Sequence, residues 1–456
     1  MFAALNFMLF YLARSGGGGS GGSSGGGGSI IALIGYFPSY YSGKLVKRLL
    51  PRRAELIVSA TSATIISIVL LILGALIHGG FFFMILIVAG VWLGWQAAFF
   101  GTWDRIKTRS KQTTQVINQA AVLDSAWDKT SLIQQATATF MAYQRDWSSF
   151  NLANIQTYTT NQYAMHAALM LRALQEMHRS NSMSNIQING SEIVAAYDSP
   201  DNSKDTFQIA FEATSDDNLI DTRPNQVIFT DKSSFIEYWT FVRNGSQWLL
   251  DRIDQSTANL LSLDKSVEQF AQTHGMYYSL DMGWLFLPND GVLFKGGQFG
   301  KSDINNHAIG IHNQHLVQLY TYTPTSGYNI LVGQINLPKS YGGILIRRKT
   351  GFFAKWKPPK APSNYQKYTL EWPDFHTRYS VHATDRDRLA TFELLNPGFM
   401  AYLYDTDPGV SIEVADNIVY LYKLIPVATK ELSTMSATNY EVLFAILDKA
   451  FRELQL

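Results

Sequence analysis

The sequence predicts an α+β protein anchored in a membrane, and three observations predict it. Leu56–Trp103 is a run of 48 residues without Asp, Glu, Lys or Arg. Residues 124–255 read as helices followed by antiparallel strands, and residues 266–456 read as mostly strands. That ordering belongs to α+β domains. The 456-residue chain is 46% hydrophobic and 13% aromatic, enough for large cores, yet only 16% charged, against about 25% in an average soluble protein. It has no cysteine, which excludes disulfides, thiolate nucleophiles, iron–sulfur clusters and cysteine-ligated zinc.

The net charge of +1 conceals an asymmetry. Ile30–Lys111 carries nine Lys/Arg against two Asp/Glu, a balance of +7; Gln112 to the C-terminus carries 27 against 34, a balance of −7, and Arg14 supplies the remaining +1. A nucleic-acid binder carries its positive charge on a folded domain. Here it brackets the uncharged run, so no nucleic-acid partner is expected and a lipid bilayer is.

Residues 1–29 begin with an apolar stub, Met1–Ala13, which matches the later half of a signal peptide or a clipped membrane helix but lacks a basic leading region. Ser15–Ser29 is wholly Gly and Ser, a flexible tether. Residues 30–55 form a basic juxtamembrane segment whose apolar part, Ile30–Tyr41, is too short to cross as a helix and is expected in the interface. About 20 apolar residues span a bilayer, so residues 56–103 suffice for two helices, about Leu56–Ile77 and Phe81–Trp103, joined at Ile77-His78-Gly79-Gly80. Lys44, Lys47, Arg48, Arg52 and Arg53 precede the hairpin, and Arg105, Lys107, Arg109 and Lys111 follow it. Basic flanks favour the cytoplasmic side. The expectation is a multi-pass protein of the inner membrane with cytoplasmic soluble domains. His78, at the hairpin tip, and Trp92, Trp95 and Trp103 are expected as interface and packing residues.

After a polar connector, residues 104–123, the first soluble domain opens with an amphipathic helix over Asp124–Phe150, in which Trp127, Leu132, Phe140, Tyr143 and Trp147 share a side. Leu152–Tyr158 and Gln162–Arg179 continue the helices. Ile186–Tyr197, Thr206–Thr214, Gln226–Thr230, Ser234–Val242 and Gln247–Ile253 then read as strands. Arg243-Asn244-Gly245-Ser246 marks a hairpin, with Asn-Gly suited to a type I′ turn.

Phe235-Ile236-Glu237-Tyr238-Trp239-Thr240-Phe241-Val242-Arg243, then Trp248-Leu249-Leu250 and Ile253, resemble the closing hairpin of the Tim44-like domain. The aromatic helix around Phe140–Trp147 and the Leu/Met helix Gln162–Arg179 fit that family's order over residues 124–255. The resemblance implies an NTF2-like cone of helices on a sheet, with an apolar pocket and attachment to the inner membrane. In mitochondria the family couples an import channel to its chaperone motor. Phe140, Tyr143, Trp147, Tyr238, Trp239, Phe241 and Trp248 are the candidate pocket or partner-binding residues. Trp239, Phe241, Trp248 and Leu250 either line a lipid- or peptide-binding pocket or fill the core between facing strands, and packing is the simpler reading. Glu237 and Arg243 share a side of their strand and read as a rim pair.

In residues 266–456, Val267–Tyr278 reads as a helix. Strands follow at Trp284–Leu287, Val292–Phe294, Ala308–Ile311, His315–Thr323, Ile330–Ile335 and Gly343–Arg348. Lys355–Pro362 is a proline-rich loop, Asp385–Tyr404 a helix broken at Asn396-Pro397-Gly398, and Val410–Val414 with Ile418–Tyr422 a strand pair turning at Asp416-Asn417. Tyr440–Leu454 is a closing amphipathic helix. Trp372–Ala383 and Leu395–Met400 resemble an uncharacterised α+β domain of bacterial membrane proteins, which brings no activity.

No Walker loop, GxSxG, HExxH, EF-hand loop or dinucleotide GxGxxG is present. Lys295–Lys301 is glycine-rich but lacks the following helix of a phosphate cradle and reads as a turn. His312 and His315 fall on opposite faces of a regular strand, and His376 and His382, six apart, lie about 20 Å from one another along one. No metal, cofactor or catalytic residue is therefore expected. The expected function is that of a membrane-anchored, non-enzymatic scaffold, linking translocase, chaperone or ribosome components to the membrane by the family resemblance. The rival is a lipid or small-molecule binder, or an enzyme, using the first domain's cavity.

Overall fold

The computed structural model describes residues 28–49, 52–76, 81–100, 102–255, 265–288, 290–295, 297–300, 302–324, 328–351, 356–385, 395–425 and 437–454. The stub and tether expected at the N-terminus lie outside these residues, as do His78 with its hairpin tip and much of the helix expected over Asp385–Tyr404.

Four helices come first: α1 (Gly28–Leu49), α2 (Arg52–Leu76), α3 (Phe81–Phe100) and α4 (Thr102–Leu123). Within α2, Ser59–Leu76 is the one described segment long and apolar enough by itself to cross a membrane; the apolar stretch of α3, Phe83–Gln96, is shorter. Many apolar side chains of α2, including Ile65, Ile68, Val69 and Ile72, are exposed, as lipid-facing residues are. Trp95 Nε1 donates to Ser59 Oγ at 3.0 Å, tying the end of α3 to the start of α2.

Two stretches are more regular than the sequence spells out. Ile30–Tyr41, expected in the interface, is part of the 22-residue α1, which lies parallel along α3. A side chain at Gly35, Gly90 or Gly94 would run into the opposing helix's backbone, so glycine on both faces permits the close approach. Ser39 Oγ donates to Val91 O at 2.7 Å across the same seam. The connector expected over residues 104–123 is also a regular element. It is helix α4, because Ile106, Ile117 and Ala120 recur on one side and bury against the first soluble domain.

That domain runs α5 (Lys129–Ser148), α6 (Leu152–Tyr158) and α7 (Asn161–Glu176), then a five-stranded antiparallel sheet. Side-chain oxygens of Asp128, Asn151 and Thr160 cap the three helices by accepting backbone N–H groups, the role these residue types serve at helix starts. The strands are β1 (Arg179–Tyr197), β2 (Thr206–Asp221), β3 (Gln226–Asp231), β4 (Phe235–Asn244) and β5 (Gln247–Gln255), in the order β1-β2-β4-β5, with β3 on the far end of β2. The β4–β5 turn differs from expectation. Asn244 pairs with Gln247, so the loop is Gly245-Ser246, and Gly245 alone takes positive φ, +63°. Glycine at the first central position belongs to type II′.

The second domain opens with α8 (Lys265–Thr273) and builds a seven-stranded sheet. Its strands are β6 (Tyr277–Gly283), β7 (Asp303–His312), β8 (His315–Thr323), β9 (Asn329–Arg348), β10 (Gln366–Tyr368), β11 (Tyr379–Ala383) and β12 (Ser411–Ile425). Short helices α9 (Phe375–Arg378) and α10 (Pro397–Thr406) join it, and α11 (Ala437–Leu454) closes the chain.

Several sequence readings merge or vanish. Ile330–Ile335 and Gly343–Arg348 belong to one strand, β9. Val410–Val414 and Ile418–Tyr422 are not a hairpin but one strand, β12, running along β9 with a bulge where Asp416 takes φ +55°. Trp284–Leu287 and Val292–Phe294 are turns. They form a strap across the sheet, anchored where the buried Glu413 carboxylate accepts the backbone N–H groups of Val292 and Leu293. His312 and His315 face each other across the β7–β8 turn rather than pointing apart, and His376 sits in α9 rather than on a strand with His382.

The second sheet is covered on both faces. Leu319, Leu331 and Val419 pack on α8 and α11. Tyr320, Tyr322, Tyr420 and Tyr422 join the strap and the first domain in one continuous core that reaches back to Phe140 and Trp239. Arg179, buried at the start of β1, spans the joint: it donates to Leu287 O and lies 5.5 Å from the Phe299 ring.

Candidate functional site

A cavity of about 280 Å³ lies between the two soluble domains. The first domain gives it an aromatic wall of Tyr143 and Trp147 from α5 and Tyr163 from α7. These face inward because 143, 147 and 163 lie on the helix sides that bury against the sheet, the Tyr143 hydroxyl accepting that of Tyr163 at 3.2 Å. Strands β2 to β5 add Asp217, Asp231, Phe235, Glu237 and Asp254, and the second domain closes the space with Tyr278, Ser279, Asp281 and Trp284.

The candidates from sequence therefore divide. Tyr143 and Trp147 line the cavity. Phe140, Trp239, Phe241 and Trp248 do not; they are core, with ring centroids 5.0 Å apart for Phe140–Trp239 and 4.9 Å for Phe207–Phe241. Trp127 and Trp248 meet edge to face at 5.0 Å. Tyr238 points to the opposite face of β4, where it packs with Trp103 beside Ile106 of α4. The strand alternation that puts 239 and 241 inside forces 238 outside. Glu237 and Arg243 are not a rim pair either. Both are buried, and Arg243 is bound by Asp124 at 2.5 Å and Asp205 at 3.0 Å, an ion-pair cluster away from the cavity.

Two carboxylates of the cavity, Asp217 and Glu237, are held by neutral donors. Asn181 Nδ2 donates to Asp217 Oδ1 at 2.6 Å, and Asn181 is itself fixed by Trp147 Nε1 at 3.0 Å. Glu237 accepts from Trp239 Nε1 at 3.0 Å and Gln255 Nε2 at 2.7 Å. Among the described residues no Lys or Arg pairs with Asp217, Asp231, Glu237 or Glu268. Burial pushes Asp217 up to about 7, opposed by the Asn181 hydrogen bond and reinforced by Asp231 and Glu237. Burial likewise raises Glu237 above the usual carboxylate range, although its two hydrogen bonds pull the other way. Arg252, also on the wall, is engaged by Asp254 at 2.8 Å.

One pair has the outline of a nucleophile and its base. Ser279 Oγ lies 3.4 Å from His166 Nε2. Burial depresses His166 to about 3, and its ring stacks on Tyr277 with centroids 5.3 Å apart. A catalytic base works best with a pKa near the operating pH, and burial moves this imidazole away from it. Among the described residues no three His, Asp or Glu side chains gather as a metal site.

Sequence reasoning missed His166, Asp217, Ser279 and Trp284. Each lies in an ordinary helix, strand or turn; they share a site only because two domains meet. No local signal marks that meeting.

No protein-family model and no curated protein matches the chain. Among solved structures, the mycobacterial trehalose monomycolate transport factor A matches at 15% identity and TM-score 0.31, over 42% of this chain and 96% of that one. The intermembrane space region of chloroplast protein ARC6 matches at 10% identity and TM-score 0.22, over 27% and 95%. An Ntf2-like protein involved in plasmid conjugation matches at 12% identity and TM-score 0.17, over 43% and 85%.

Proposed function

We propose that this chain is a membrane-tethered, non-enzymatic binding protein. Its first soluble domain is a Tim44-like module of the NTF2-like cone form, and its ligand enters the cavity between the two soluble domains. The observation that carries the reading is the cavity itself: an aromatic and acidic space walled by both domains, in a molecule whose two cores are otherwise continuous. The Ser279–His166 pair, with its depressed imidazole, favours binding over catalysis. In this reading α2 and α3 anchor the protein in the inner membrane, and the basic residues at their ends put the soluble domains in the cytoplasm.

Two occupants fit this reading. A volume of about 280 Å³ suits a small molecule, just below the roughly 300–1,000 Å³ of ligand pockets generally. It also admits one side chain of a protein partner, such as a translocase, chaperone or ribosome component. A photoreactive amino acid in place of Trp284, in the full chain in its native membrane, separates them. A discrete protein adduct is the scaffold outcome and a small mass increment the ligand outcome. No adduct, or the same adducts from the exposed position of Tyr197, overturns the cavity as the binding site.

A further inference from the structure

The cavity also has a chemical preference. Resting on the binding reading above, we propose that it is a receptor for an organic cation: an ammonium or guanidinium group on a short apolar stem, anchored at Asp217 Oδ2 and flanked by Trp147 and Tyr143.

Four observations converge on this. The first is size: the space lies between the domains and, at about 280 Å³, holds one flexible stem and its head group. The second is the aromatic wall. Tyr143 and Trp147 stack with centroids 5.8 Å apart, and such faces attract cations through the ring quadrupole.

The third is the state of Asp217. Its Oδ1 is held by Asn181, whereas Oδ2 receives no hydrogen bond from the described residues, and no described Lys or Arg pairs with it. The Trp147–Asn181–Asp217 chain ties the carboxylate to the indole edge, so anion and aromatic wall border the same space. The fourth is what surrounds that carboxylate. Asp231 on β3, Glu237 on β4, Asp254 on β5 and Glu268 on α8 face the same space, with Asp281 on β6 and Asp303 on β7. The only basic groups among these walls are Arg252, occupied by Asp254, and His166, neutral through burial.

A half-buried carboxylate without a charged partner among the described residues is costly. A cation entering from solvent would supply the missing partner. The same argument disfavours anions: a phosphate or a fatty-acid carboxylate would meet a mostly acidic lining whose one described guanidinium, Arg252, is already bound by Asp254.

The test uses the full chain in lipid nanodiscs and follows fluorescence of the wall tryptophans during titration. The probes are spermidine for a free amine, the peptide Gly-Gly-Arg-Gly-Gly for a basic chain segment, and fully acetylated spermidine, in which every amine is an amide, and inorganic phosphate as neutral and anionic controls. Saturable binding of spermidine or the peptide is expected, weakened at least tenfold in Asp217→Asn and absent for both controls. Which cation binds more tightly identifies the source. The unfolding midpoint of Asp217→Asn, measured alongside, shows that the variant is folded, and Trp147→Phe, which frees Asn181 while keeping an aromatic face, should weaken binding by a smaller factor. Equal binding of the acetylated probe, binding unaffected by Asp217→Asn, or binding of phosphate overturns the cation assignment and leaves the cavity as a binding site. No binding of any probe overturns the assignment as well, and the photo-adduct from position 284 then decides separately whether the cavity binds anything.

Discussion

At the scale of single residues, the molecule contrasts two ways of burying charge. Arg243 is surrounded by Asp124 and Asp205 and also donates to Gly245 O at 2.9 Å, so its charge is matched on all sides. Asp217 is not matched, and its elevation to about 7 has a thermodynamic sign. An acid whose pKa is higher folded than unfolded keeps its proton longer in the native state, so stability falls as pH rises between the two values. The window here runs from the ordinary value of 3.8 to about 7, and the loss across it is on the order of 4 kcal/mol at 1.36 kcal/mol per unit. Asp217→Asn should therefore unfold at a higher temperature than the parent at pH 8, with little difference at pH 4. Melting curves across that range check it; a variant less stable at pH 8 would mean that the ionised carboxylate is a stabilising partner rather than a strained one.

At the scale of elements, legibility in the sequence followed local pattern. Leu152–Tyr158 and His315–Thr323 have the bounds the sequence predicts because their apolar spacing and flanking turn residues agree. The second domain was harder. Asp416-Asn417 has the composition of a turn, but β9 offers partners on both sides of it, and the ladder continues through a bulge. Tyr143 and Trp147, which line the cavity, were legible as part of an inward helix face, whereas Asp217 and Trp284 depend on a contact between domains that periodicity does not encode. The α1–α3 seam is another long-range feature, carried by Gly35, Gly90 and Gly94, which a hydropathy reading passes over as merely apolar. Gly90→Leu places a branched side chain against the α1 backbone. It should lower the stability of the helical part by at least the roughly 1–3 kcal/mol typical of overpacking. Ala75→Leu, on an exposed face of α2, introduces the same side chain away from the seam and should leave it unchanged. Thermal unfolding of both variants in detergent followed by circular dichroism compares them, and equal shifts would show that the seam contributes nothing specific.

At the scale of the whole molecule, the direction of α1 bears on the sidedness proposed for the chain. Ala32 lies opposite Gly90 and Tyr36 opposite Gly94, so α1 and α3 run parallel, while the Trp95–Ser59 bond shows α2 antiparallel to α3. The C-terminal end of α1, the start of α2 and the end of α3 therefore lie at one level. Lys44, Lys47, Arg48, Arg52 and Arg53 are at that level with Arg105, Lys107, Arg109 and Lys111 just beyond, and α4 leads directly into the soluble domains. If the membrane is crossed by this bundle, the start of α1 emerges on the face opposite the soluble domains, as a partner of α3 rather than as an interfacial helix. The chain has no cysteine, so single cysteines can be placed without background. Ser29→Cys, at the start of α1, should react with a membrane-impermeant maleimide on intact cells, and Lys204→Cys, exposed on the first domain, only after lysis. Protection of both until lysis would return α1 to the cytoplasmic interface. Labelling of both on intact cells would put the soluble domains outside, where contact with translocase, chaperone or ribosome components is impossible and only the small-ligand form of the proposed function survives.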